Sequence, residues 1–140
     1  MARLMSVGIL LLVLFGNVIT TSAQPCNLAG VYKIGPTGTY KNITVATTAL
    51  RQIGIGGPVI FELQASYKDT EESYPLYFHS IPCMDSSKSI TIRPELGAKD
   101  LKIGKNIAGA IVNLSGAKNV HFDGRPGGID TIRQLTLTNS

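Results

Sequence analysis

Histidine and cysteine are scarce in this sequence: His79 and His121, Cys26 and Cys83, each isolated in its stretch of chain. Neither cysteine has the close Cys or His neighbours of a zinc site, so no metal centre is expected. No serine or cysteine stands in the G-x-S-x-G setting of a nucleophile elbow, and Ser115-Gly116 fails that pattern at the preceding glycine. Gly54, Gly56 and Gly57 with Pro58 follow a helical pattern and open a strand pattern. A phosphate loop has the reverse order, so this stretch reads as a turn.

A concentrated charge is also missing. Beyond residue 23 there are twelve basic and nine acidic residues, a net charge of +3 with neutral histidines. The basic residues are spread singly from Lys33 to Arg133, without a stripe or cluster. Neither a nucleic acid nor an anionic membrane is therefore an expected partner. The acidic stretch Asp69, Glu71, Glu72 lacks the alternating Asp/Asn spacing and turn glycine of a calcium loop. It reads as a solvated loop, calcium binding being the alternative, and no other cofactor is expected.

No apolar run reaches the roughly 20 residues that span a bilayer. Val7 to Phe15 is instead the apolar core of an export signal, with Arg3 ahead of it and the small residues Thr21-Ser22-Ala23 before Gln24. Residues 1–23 are read as a cleaved signal peptide, and the mature chain as secreted or displayed at the cell surface, with no membrane span. Ala23-Gln24-Pro25 lacks the small residue expected beside a lipidated cysteine. In an export context Cys26 and Cys83 can pair as a disulfide, the alternative being two free thiols.

One segment carries a helical period. Ile43, Ala46, Thr47, Leu50 and Ile53 share one face, Asn42 or Thr44 can cap the start, and Gly54 can end the helix. The rest alternates in short runs: Val59, Phe61 and Leu63; Ile90 and Ile92; Leu101 and Ile103; Val120 and Phe122; Leu135 and Leu137. By the same alternation His121 points away from the core. Ile92, Leu114 and Leu137 recur at 22 and 23 residues, a repeat that suits a parallel β-solenoid, although an antiparallel sandwich also has many short strands.

The stretch Ala29-Gly30-Val31-Tyr32-Lys33-Ile34-Gly35, then Gly38-Thr39-Tyr40 and Gly56-Gly57-Pro58-Val59-Ile60-Phe61-Glu62-Leu63, resembles the opening of large secreted bacterial parallel β-helix (pectin-lyase-like) proteins. Ser89 to Pro94 is similar to that family's first coil strand, and Asn119 to Gly128 with Arg133 to Asn139 to its strand-turn-strand signature. The resemblance implies an all-β, right-handed parallel β-helix (solenoid) whose N-terminal coils are capped by one amphipathic helix. It divides the mature chain into 24–58, the first strand and capping helix, and 59–140, the first coils of a truncated array.

The function expected on this basis is a non-catalytic scaffold that binds extracellular polysaccharide or a cell-surface glycan, or mediates adhesion. The alternative is a polysaccharide lyase or glycoside hydrolase whose active coils lie beyond residue 140. Asp123 with Arg125, or Arg93, fits the lyase roles, but Asp123-Gly124 and Pro126-Gly127-Gly128 have turn chemistry. No residue is therefore assigned as catalytic. The tyrosines concentrate before residue 80 and read first as packing. Tyr67, Tyr74 and Tyr77, with His121 and Arg125, are the candidate glycan-contacting residues.

Overall fold

A computed structural model describes residues 25–140, so the export signal lies outside the described residues. The chain runs β1 (Leu28–Ile34), α1 (Ile43–Ile53), β2 (Ile55–Leu63), a short 3-10 turn (Asp69–Glu71) and β3 (Leu76–Tyr77). It continues through β4 (Ile90–Pro94), β5 (Leu101–Gly104), β6 (Val112–Asn113), β7 (Val120–Phe122), a second 3-10 turn (Pro126–Gly128) and β8 (Leu135–Thr138). The strands form three small sheets ordered β1-β2-β4-β7, β3-β6 and β5-β8, and every pairing is parallel.

The helix forms where its period predicts. The Asn42 side chain accepts a hydrogen bond from the Val45 N–H at 2.9 Å, occupying a donor the helix start would otherwise leave open. At the other end Gly54 takes φ 77°, and its N–H donates to the Leu50 carbonyl. Ile43, Ala46, Thr47 and Leu50 are buried on one face. Each buried Ile or Leu there contributes about 1.5–3 kcal/mol.

Register aligns the core in rows. Tyr32, Phe61, Ile92 and Phe122 are successive partners across the four-stranded sheet, as are Gly30, Val59, Ile90 and Val120. Tyr40 packs edge-on to Phe61, and Phe78 packs edge-on to Phe122. The disulfide Cys26–Cys83 joins the chain ahead of β1 to the loop after β3, with Cα atoms 6.0 Å apart. Beside it the Cys26 N–H donates to the Ile53 carbonyl and the Ile55 N–H to Pro82. A disulfide of this kind is consistent with an oxidising, extracellular compartment. Among the described residues no helix is long and apolar enough to cross a membrane.

The expected fold class requires correction. The architecture is mixed α/β, with small all-parallel sheets and strands interleaved with a helix, rather than an all-β solenoid. The recurrence of Ile92, Leu114 and Leu137 is not a pairing period: Ile92 pairs with Phe122, Leu137 with Ile103, and Leu114 lies outside the strands. The helix, inserted between two paired strands, contributes core residues of its own. The glycine stretch is corrected too, because Gly56 and Gly57 belong to β2. A side chain at Gly56 would meet the Cys26 carbonyl oxygen at 2.5 Å, so close backbone approach is what requires glycine there.

Candidate functional site

The outer face of the four-stranded sheet carries a row of alternating charge. Lys33 on β1, Glu62 on β2 and Arg93 on β4 are successive register partners. The Lys33 ammonium donates to Glu62 Oε2 at 2.7 Å, and Arg93 donates to Glu62 Oε1 through Nε at 3.0 Å and Nη2 at 2.6 Å. Burial pushes the Glu62 carboxyl up, but the hydrogen bonds and charges of Lys33 and Arg93 outweigh it and leave its pKa below the ordinary value. One residue past β7, Asp123 continues the row, with its N–H on the Ile92 carbonyl.

Beside this row lies an open cleft of about 580 Å³ lined by Thr91, His121, Phe122, Asp123, Gly124, Arg125 and Arg133. It brings His121 and Arg125 together, two candidates that sequence reasoning named separately. His121 is exposed between the half-buried Val120 and Phe122, as the alternation predicts. Asp123 accepts from Arg125 Nε at 2.9 Å and Nη2 at 2.8 Å, and these bonds lead in holding its carboxyl below the usual range. A carboxylate so held is a weak base, and Arg93 is engaged by Glu62. Asp123 and Arg125 are thus paired with each other, and Arg93 with Glu62.

The tyrosines separate by environment. Tyr67 is 7% exposed, and its hydroxyl donates to Glu72 at 2.8 Å. Burial is the leading cause that pushes its pKa far up, with the Glu72 charge second. Tyr74 is partly buried, and its hydroxyl accepts the Gly104 N–H at 2.8 Å. Tyr77 alone of the three is exposed, at 42%. Its ring stacks on His79 with centroids 5.1 Å apart and planes 6° from parallel. The two residues are two positions apart, so their side chains share a side of the chain.

The acidic loop holds the residue that sequence reasoning missed. Glu72 is 6% exposed and accepts from the Ile43 N–H, the Thr44 N–H and hydroxyl, and the Tyr67 hydroxyl. It serves the start of α1 and is not part of a solvated loop. Its sequence neighbours Glu71 and Ser73 are polar, so nothing local signalled its burial. Among the described residues no three His, Cys, Asp or Glu side chains gather as a metal-binding group. Compared with protein-family models, curated proteins and solved structures, the chain matches none.

Proposed function

We propose that this chain is an exported, non-catalytic scaffold that binds extracellular carbohydrate or mediates adhesion, with Tyr77 as a contact. The observation that carries this reading is the exposed Tyr77–His79 stack. A tyrosine ring offers a flat apolar surface and a hydroxyl, the combination that suits a sugar ring with its C–H face and its hydroxyl edge. Stacking on His79 holds the ring in one orientation, which lowers the ordering cost of binding. Asn113, the register partner of Tyr77 on β6, places a polar side chain alongside.

Export is part of the same reading. The signal pattern of residues 1–23, the disulfide, and the resemblance to large secreted bacterial proteins support a secreted or surface-displayed mature chain. The test is a glycan-binding screen with the mature protein and its Tyr77→Ala variant. Saturable binding without product, weakened about tenfold in the variant, is expected. Calcium-dependent release of unsaturated oligosaccharides would sink the non-catalytic reading, and unchanged affinity in the variant would remove Tyr77 from the contact.

A further inference from the structure

Each of the three sheets adds its strands in chain order, and each ends on a strand that nothing covers. β7, β6 and β8 are the last strands of their sheets and have a partner on one side only. The apolar positions change there. Val59 and Ile90 are fully buried, whereas Val120, next in register, is half-buried. Phe61 and Ile92 are buried and Phe122 is half-buried; Leu76 is buried and its partner Val112 is half-buried. On β5, Leu101 and Ile103 are buried. Their β8 partners Leu135 and Leu137 are half-buried and 41% exposed respectively.

The same residues carry the outward backbone groups. The Asn119 carbonyl accepts from the Ile90 N–H and the Asp123 N–H donates to Ile92, so both positions face β4. Backbone groups alternate in direction along a strand, so those of Val120 and Phe122 point away from β4. The carbonyls of Ile111 and Asn113 accept from Leu76 and Phe78, which turns Val112 outward. The Gln134 carbonyl accepts from Leu101, which turns Leu135 and Leu137 outward in the same way.

Edge strands are ordinarily blunted by charge, by proline or by a covering segment. Neither Val112–Asn113, Val120–Phe122 nor Leu135–Thr138 contains Lys, Arg, Asp, Glu or Pro. The opposite edge of the four-stranded sheet is guarded. Lys33 lies in β1, the Tyr40 N–H donates to its carbonyl from alongside, and α1 adds its own buried face to the core. An unguarded edge beside uncovered apolar side chains is a surface that strand pairing completes.

We infer that this end is an interface between two copies of the chain, with β7 paired antiparallel to β7 of the other copy about a two-fold axis at His121. In that register Val120 of one copy faces Phe122 of the other, and each such pair exchanges two backbone hydrogen bonds. His121 faces His121, and Asp123 faces the neutral Asn119, so no carboxylate meets its like. A two-fold contact sets the uncovered apolar end of one copy on the same end of the other. Head-to-tail stacking lacks that match, because the exposed residues of α1 include Arg51 and Gln52. The inference is independent of the carbohydrate reading.

The experiment is sedimentation of the oxidised mature chain over a range of concentrations. A monomer–dimer equilibrium is expected, with a dissociation constant on the order of 10 μM for a contact of this limited extent. Leu137→Lys sets a charge on the end face at a position already exposed, and should weaken the dimer at least about tenfold. Val31→Lys, on the opposite edge strand and 52% exposed, should change it less than about twofold. His121→Cys reads the register directly. The non-hydrogen-bonded pair at the axis brings the two Cα atoms to about 4.5 Å, within disulfide reach, so mild oxidation should link two copies. Thr91→Cys, one strand inward on the same face, should give no such link.

A chain that stays monomeric at every concentration overturns the interface, as does equal weakening by Leu137→Lys and Val31→Lys. A dimer in which His121→Cys cross-links no more than Thr91→Cys overturns the pairing. A monomer that instead binds a synthetic Ser89–Pro94 peptide assigns the edge to an extended segment, and the second copy is then the wrong occupant.

Discussion

Glu72 caps α1 from outside the helix: its Oε2 accepts both the backbone N–H of Thr44, at 2.9 Å, and the Thr44 hydroxyl, at 2.6 Å. Its other oxygen takes the Ile43 N–H at 2.6 Å. Meanwhile Asn42, the local cap, donates through Nδ2 to the Glu71 carbonyl at 2.7 Å. Helix start and acidic loop thus hold each other, and the negative charge lies at the positive end of the helix dipole.

Replacing Glu72 with Ala should cost about 3 kcal/mol in urea unfolding, since it strips partners from two helix N–H groups and two hydroxyls at a buried site. Asp69→Ala, in the same loop, should change stability by less than about 0.5 kcal/mol. Similar losses in both variants would mean that loop rigidity, and not the cap, is what Glu72 supplies.

The alternating row predicts a pH dependence. Glu62 has a lowered pKa, so its stabilisation is present above the ordinary value of 4.5 and disappears as pH falls through the folded value. Lys33 is raised, chiefly by its hydrogen bond to Glu62 and against the effect of burial. Its contribution is present below 10.5 and lost as pH rises through the folded value. The stability difference between wild type and Glu62→Gln should be constant near neutrality and shrink below pH 4.5. A difference that stays level into acid would show that packing, and not charge, sets it.

The disulfide Cys26–Cys83 links residues 57 apart in sequence. In the chain-entropy account a loop of that length is worth about 4 kcal/mol, so the Cys26→Ser/Cys83→Ser variant should unfold at correspondingly lower urea. Reducing agent should lower wild type to the same midpoint and leave the variant unchanged. Equal midpoints for oxidised wild type and variant would rule the linkage out as a source of stability.

Some of this was legible in the sequence because it depends on neighbours. The limits of α1 follow from a 3.6-residue period, an Asn cap and a terminal Gly, all within a dozen residues. The inward side of β2, β4 and β7 follows from alternation, which also turned His121 outward. Sequence reasoning failed where partners are distant. It read the tyrosines first as packing but could not separate Tyr67, Tyr74 and Tyr77, whereas in the fold Tyr67 is drawn inward by Glu72 and Tyr74 by the Gly104 N–H, and Tyr77 is left exposed. The period of 22 to 23 residues failed for the same reason: loops of different length separate the strands, so pairing offsets are nearer 30 than 22.

By itself the sequence determined the local elements, the export pattern and the absence of any compact catalytic motif, since each is written in contiguous residues. Tertiary structure decided the rest. Parallel pairing places residues about 30 positions apart side by side, and no window along the chain reveals which charges will then meet. Lys33, Glu62 and Arg93, scattered along the sequence, met as opposite charges on neighbouring strands.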